Sequence, residues 1–309
     1  MKLFSRLLSF FRPRSELYLF GSSILWGQGH LPAGKIDRKV ADFIATELGE
    51  RPSVHLQAHS GALLNGDPAD ADPAAHGEVP CPWPSVIAQV RAAPPPRAKR
   101  VRILMEGGIN EVGGVRISSP ATPPEYIKRA TELACYRDFR RVLAEVAKRF
   151  PTAEIYVIGY FQVLAERTGR KDVEDMLERG GMPAMEDDGG ADLAERAIEN
   201  SRLFREQSDH WLRRACEEVE TESGPCVFIE SGFHESEGMF GRPSLLFHPW
   251  SSDPMMGARA RQCTVALARR QTGLHCYLAA TAHPNEAGID RYVARITSAL
   301  RERNAGRNR

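Results

Sequence analysis

Leu17-Tyr18-Leu19-Phe20-Gly21-Ser22-Ser23-Ile24-Leu25-Trp26-Gly27 sets the reading of the whole chain. Four large apolar residues stop abruptly at three small ones, as a buried strand does when it runs into a tight turn. The same pattern recurs at 54–57, 101–105, 155–158 and 227–229, where β-branched or aromatic runs give way to Gly, Ser or His. Helical periodicities fill the gaps at about 35–48, 124–149, 192–219, 257–270 and 286–303. Strands separated by helices of more than ten residues imply right-handed βαβ units and a parallel sheet. The expected fold is therefore α/β, a three-layer α/β/α sandwich around a five-stranded parallel sheet. In such sheets ligands bind beyond the carboxyl ends of the strands.

Composition removes several function classes. The 309 residues carry 41 Lys plus Arg against 40 Asp plus Glu, a formal net charge of +1. That balance argues against a nucleic-acid binder, whose footprint is a strongly basic surface. No apolar run reaches the roughly 20 residues needed to cross a bilayer. Six cysteines are scattered without a CxxC pair, which excludes zinc-ribbon and thioredoxin-type sites. They read as buried core thiols, with Cys263 and Cys276 placed to pair in an oxidising compartment. His55, His234 and His248 lack metal-ligand spacing, so no metal and no organic cofactor is expected.

Residues 1–14, MKLFSRLLSFFRPR, are basic with Leu3, Phe4, Leu7, Leu8 and Phe11 on one helical face. Arg6 and Arg12 interrupt the apolar run a signal peptide needs, so a cytoplasmic location is expected. The segment suits peripheral contact with a membrane surface. The chain divides into this segment (1–15) and one domain (16–309), with insertions near 169–192 and 232–256. Residues 92–99, with three consecutive prolines, form a stiff connector.

Four short segments carry the chemistry: Gly21 to Gly27, His59-Ser60-Gly61-Ala62, Gly107-Gly108-Ile109-Asn110-Glu111, and Ala282-His283-Pro284-Asn285-Glu286-Ala287-Gly288. The first three follow predicted strands and the fourth precedes the last helix, which gathers them on one rim. A serine hydroxyl needs a base, and histidine titrates in the useful range. Glycine N–H groups and an asparagine amide can stabilise a developing oxyanion. The GxSxG elbow of α/β-hydrolases is absent.

In this order the segments resemble the four blocks of the SGNH (GDSL-type) esterases and lipases. GSSILWG is similar to the GDSxxxG block, with Ser22 where the family has Asp. GGINE resembles the GxND block, with Glu111 for Asp, and AHPNEAG matches the final HPN-containing block. The resemblance spans residues 20–288 and implies a flavodoxin-like SGNH fold. It also implies a serine hydrolase that cleaves a carboxylic ester through an acyl-enzyme. Ser23 would be the nucleophile and His283 the base, with Ser23 N–H, Gly61 N–H and Asn110 forming the oxyanion hole. The substrate would be a small-molecule, lipid or glycan ester. Carbohydrate O-acetyl esterase and thioesterase chemistry belong to the same family, and a non-catalytic acyl- or glycan-binding protein is the rival outside catalysis. The family's DxxH acid is missing, since Ala280 stands three residues before His283. The expectation is a Ser–His dyad with a backbone carbonyl holding the imidazole, against a triad completed by Glu235 or Asp253.

Overall fold

The computed structural model describes residues 15–71, 77–179, 193–267 and 276–307. Residues 1–14, with the membrane contact expected of them, lie outside this set, as do 180–192 of the first insertion. The central sheet comprises β1 (Ser15–Phe20), β2 (Pro52–Leu56), β3 (Arg100–Met105), β4 (Ala153–Ile158) and β7 (Val227–Ile229). Between β4 and β7 a small antiparallel ribbon pairs β5 (Glu220–Thr221) with β6 (Gly224–Pro225). All pairings in the main sheet are parallel, in the order β2-β1-β3-β4-β7. β1 and β4 are buried along their whole length. A strand covered on both faces reads as a continuous apolar run rather than an alternation, which is why β1, β3 and β4 are recognisable.

The helices, in chain order, are α1 (Ser23–Trp26), α2 (Ile36–Glu47), α3 (Val86–Ala92), α4 (Ile109–Val112), α5 (Gly114–Ile117) and α6 (Pro124–Thr131). They continue with α7 (Phe139–Arg149), α8 (Arg170–Arg179), α9 (Leu193–Glu217), α10 (Met256–Leu267) and α11 (Glu286–Arg307). Their apolar residues repeat at helical spacing. α2 buries Ile36, Val40, Phe43 and Ile44, and α7 buries Phe139, Val142, Leu143 and Val146. Each set makes one stripe facing the sheet. α2 packs with α11, whereas α3, α6, α7 and α9 pack among themselves, giving the two outer layers. One hydrophobic cluster runs from Leu17 to Leu300 through the sheet. The expected α/β/α sandwich with a five-stranded parallel sheet is the fold observed.

The long periodicity at 124–149 is a single helical path interrupted by a π-helical stretch, Glu132–Asp138, between α6 and α7. That wider turn sets the Cys135 sulfur against Gly108. A Cβ on Gly108 would come within 2.7 Å of the sulfur, and its φ of +116° is itself a glycine conformation. α3 is seven residues long and was not evident as a periodicity.

The starting end of the sheet, away from Phe20 and Met105, carries a buried ionic cluster. Arg100 bridges Glu50 and Glu154 at 2.7 and 3.2 Å, and Arg102 contacts Glu50 at 2.9 Å. Arg102 and Glu154 are 1% exposed. Removing one partner would strand the others' charge away from water. Glu154→Gln is therefore expected to cost about 3 kcal/mol of stability, whereas breaking the exposed Arg202–Glu199 pair with Arg202→Ala costs under ~1 kcal/mol. Urea midpoints of the two variants check this, and equal midpoints would contradict it.

Candidate active site

Ser23 is the first residue of α1, one turn of backbone beyond β1, and is 5% exposed. It lies on the wall of a cavity of about 410 Å³ together with Asn110 and His283. Three of the sequence-derived residues thus meet on one surface, although they are separated by up to 260 positions in the chain. Gly61 is set back from that wall behind Pro80, which does line the cavity. Its φ is +76°, and a Cβ there would meet the Cys81 nitrogen at 2.6 Å, so the turn requires glycine.

The polar groups of the rim are only partly used by the protein. Asn110 Nδ2 donates to the Ala62 carbonyl at 2.9 Å, and because that acceptor is a carbonyl, the amide orientation is set. One N–H of the amide is left over. The adjacent Glu111 accepts the Leu64 N–H, so residues 110 and 111 together clamp the loop that carries Gly61. Among the described residues no acceptor takes the N–H of Ser23 or of Gly61. Unsatisfied N–H donors beside a nucleophile can receive negative charge.

His283 Nδ1 lies 3.0 Å from the Thr281 carbonyl oxygen. A carbonyl only accepts, so Nδ1 carries the proton and Nε2 keeps its lone pair. Burial lowers the His283 pKa to about 4, against the opposing pull of the Thr281 and Ala280 backbone groups. The ring is nonetheless half-buried rather than sealed, because one edge opens on the cavity. Ala282, just before it, has a φ of +62°, a strained left-handed conformation for a residue with a Cβ. The strain is held by pairing with the second insertion. Ala282 N–H donates to Phe247 O at 3.0 Å, and Phe247 N–H donates to His283 O at 2.8 Å. Asn285 adds bonds to the Ser244 carbonyl and, as the N-cap of α11, accepts the Gly288 N–H at 3.1 Å.

The carboxylates considered as a third triad member are engaged elsewhere. Asp253 is bound by Arg259 at 2.6 Å and Glu235 by Arg205 at 3.1 Å. The acceptor on His283 Nδ1 is the Thr281 carbonyl instead. Ala280, at the family's usual acid position, is buried against Gly29, whose φ of +83° and missing Cβ allow the approach.

Three contributors were not read from the sequence. Arg259 is fully buried; it bridges Asp253 and Glu78 and donates to the carbonyls of Cys276 and Tyr277. The disulfide Cys263–Cys276, the pairing expected for an oxidising compartment, ties the same arm to α10. His30 Nε2 donates to the Pro284 carbonyl at 2.8 Å, immediately after His283. Glu106, the residue between β3 and the Gly107-Gly108 turn, is completely buried behind Ser22. The other histidines have structural settings. His55 stacks on Tyr18, His248 on Phe240, and His234 accepts the Ser236 N–H of a short turn. Among the described residues no cluster of His, Cys, Asp and Glu could hold a metal ion.

The remaining cavity wall is apolar. Ile24, Ile109, Val163, Met176, Leu177 and Met239 are prominent in it. Met176 and Leu177 come from α8, in the first insertion, and Met239 and Pro249 come from the second. Both insertions therefore help build the cavity.

No family model matches the chain, and no curated protein matches it. Among solved structures, it is similar to the extracellular lipase of Streptomyces rimosus at 13% identity, with a TM-score of 0.54 over 92% of this chain and 99% of that one. A phospholipase A1 from Streptomyces albidoflavus NA297 aligns at 14% identity and a TM-score of 0.49, covering 93% of this chain and 99% of that one. AlinE4, an SGNH-hydrolase family esterase, aligns at 16% identity and 0.35, covering 84% and 98%. The first likeness shows a shared α/β/α sandwich fold, and at TM-scores below 0.5 the other two add no weight.

The histidine geometry has a direct spectroscopic consequence. At pH 7 the His283 ring is expected to be neutral with its proton on Nδ1. Its NMR titration midpoint is expected below the ordinary ~6.5, shifted towards about 4 by burial. An Nε2-protonated ring, or a midpoint at or above the ordinary value, would contradict the arrangement.

Proposed function

We propose that the protein is a serine hydrolase that cleaves carboxylic esters with an apolar acyl group through an acyl-enzyme. The observation that carries this reading is the common cavity. Ser23, Asn110 and a histidine with a free Nε2 line it, and most of the rest of its wall is apolar. The shared fold with the Streptomyces rimosus extracellular lipase and the four sequence blocks support the same chemistry.

In this mechanism His283 Nε2 takes the proton from Ser23 Oγ as the oxygen attacks the ester carbonyl. The carbonyl π electrons move onto oxygen, and the oxyanion is met by the free N–H of Ser23 and the spare N–H of Asn110, the two donors that line the cavity. Collapse expels the alcohol, which receives the proton from the imidazolium. Water then enters and attacks the acyl carbon as His283 takes its proton. Collapse breaks the acyl–Oγ bond and releases the acid, while the imidazolium returns the proton to Ser23 Oγ. Thr281 O holds the imidazole in the reactive tautomer throughout, so the proposed unit is a dyad oriented by a backbone carbonyl. No cofactor takes part in these steps.

The apolar wall favours an acyl chain over a sugar, which places carbohydrate O-acetyl esterase activity second. Each CH2 moved from water onto such a wall contributes about 0.8 kcal/mol. Along a p-nitrophenyl ester series, kcat/KM is thus expected to rise about threefold to fourfold per added CH2 until the cavity is filled. A maximum at acetate, with faster turnover of acetylated sugars, would move the assignment to the second reading. The Cys263–Cys276 disulfide supports an oxidising compartment for the protein, in place of the cytoplasmic one expected from residues 1–14.

Ser23→Ala is expected to abolish hydrolysis and labelling by a fluorophosphonate while leaving the circular dichroism spectrum intact. Asn110→Ala should lower kcat by about 10²–10³ with KM little changed, because the spare amide N–H acts in the transition state. A protein that binds acyl ligands yet never labels at Ser23 would be the non-catalytic binder.

A further inference from the structure

Glu106 has a bonding pattern that neither the sheet nor the proposed reaction explains by itself. Its side chain is 0% exposed. Oε1 accepts the backbone N–H of Ser22, and Oε2 accepts the Ser22 hydroxyl at 3.0 Å. The Tyr160 hydroxyl also donates to Oε2, at 3.0 Å. That same hydroxyl oxygen accepts the N–H of Ile109 at 3.4 Å. Ser22 immediately precedes Ser23, and Ile109 immediately precedes Asn110. One carboxylate therefore links the turn bearing the nucleophile to the turn bearing the oxyanion donor.

Steric evidence agrees. A Cβ on Gly21 would come within 2.8 Å of Glu106 Oε1 and 2.9 Å of its carbonyl oxygen. The turn after β1 is pressed onto the carboxylate, and only glycine fits between them. Burying a carboxylate without a cation is costly, and every partner here is a neutral donor. Burial raises its pKa while the bonds from Ser22 and Tyr160 lower it. A Met or Leu would fill the space without that cost but would leave the Ser22 N–H, the Ser22 hydroxyl and the Tyr160 hydroxyl without their acceptor.

We propose that Glu106 is a positioning residue for the ester hydrolysis, a carboxylate supplied from the end of β3 that sets the Ser22–Ser23 turn and, through Tyr160, the Ile109–Asn110 turn in register with each other. The proposal rests on the hydrolase reading above. It assigns Glu106 no contact with substrate; it acts through the placement of Ser23 Oγ and of the Asn110 amide.

The test compares the full-length wild type with Glu106→Gln, Tyr160→Phe, and the pair Glu106→Gln/Ser22→Asp. Three quantities are measured: kcat and KM on one p-nitrophenyl ester, the rate of fluorophosphonate labelling at Ser23, and Tm. Displacing reacting groups by a fraction of an ångström costs rate rather than binding, so Glu106→Gln should lower kcat and the labelling rate about ten- to a hundredfold with KM nearly constant. Tyr160→Phe, which removes the donor to Glu106 Oε2 and with it the link to Ile109 but leaves both Ser22 bonds in place, should lower kcat by a smaller factor. Returning the carboxylate from the next residue, in Glu106→Gln/Ser22→Asp, should recover part of both rates, which a loss of folding stability alone would not do. A folded Glu106→Gln with wild-type kcat and labelling overturns the proposal, as does a loss confined to KM. If Glu106→Gln does not fold, Tyr160→Phe decides, and an unchanged kcat there overturns the link between the two turns. A wild type that neither hydrolyses any ester nor labels at Ser23 is a different failure, that of the hydrolase reading, and takes the positioning role with it.

Discussion

The parallel pairing of β1 with β3 is the constraint on which the site depends. Phe20 lies opposite Met105, the last residue of each strand, so both strands end at the same level. The chain leaves β1 for β2 on one side and returns to β3 on the other, which makes this pair the switch point of the sheet order β2-β1-β3-β4-β7. A crevice opens there because the connections diverge. Gly21–Ser23 and Glu106–Asn110 emerge into it side by side, and Glu106 N–H donates to Phe20 O to continue the ladder past the strands. A register shift in that one pairing would carry Ser23 away from Asn110, whatever their own turns did. The buried Glu106 side chain acts in the same place, tying the ends together where the ladder stops.

His283 reaches the crevice by another route. The segment before it is not part of the sheet, and it must hold a strained φ at Ala282. Its placement is distributed over the strap at 244–247, the His30 bond to Pro284 and the Arg259 network. Arg259 is costly to bury unless its donors are matched, and here they meet two carboxylates and two carbonyls. Glu78, in turn, accepts from Gly29 N–H and Gln28, so the loop after α1 and the histidine arm share one anchor. With the arm fixed from so many sides, a single carbonyl suffices to orient the imidazole, and a dedicated acid at position 280 is unnecessary for that purpose.

The parts legible in the sequence are those with a local signature. A doubly covered strand is a continuous apolar run, and β1, β3 and β4 were found within two residues at their starts and at the same final residue. Ser23, Asn110 and His283 were readable because each sits in a short block of small and polar residues at a strand end or helix start. Gly61 was readable as a turn, but its distance behind Pro80 was not. The partners in the supporting network carry no such signature. Arg259 and Glu78 are 181 positions apart, and nothing in their neighbours marks either as buried. Glu106 follows β3 directly, and nothing in its neighbours marks it as buried. Asp253 was weighed as the acid of a triad, yet its charge is bound by Arg259 and His283 Nδ1 faces the Thr281 carbonyl instead. The insertion at 232–256 was legible only as a long stretch after a strand, whereas its backbone pairs with the histidine arm and its Met239 and Pro249 line the cavity.

The apolar wall and the low pKa of His283 have one origin. The side chains that would hold an acyl chain are those that remove water from the imidazole and favour its neutral form. A lowered pKa keeps the base deprotonated far below neutrality, and it also makes that base intrinsically weaker. In the proposed reaction that weakness matters less once an acyl chain fills the cavity, because the proton would move from Ser23 to His283 inside a space from which the chain has displaced water. There the developing imidazolium faces the negative oxyanion across a low-dielectric gap, where opposite charges attract strongly. Acyl binding and proton transfer are coupled in this way through the cavity wall. Widening it with a polar substitution would raise the His283 pKa and weaken that attraction at the same time.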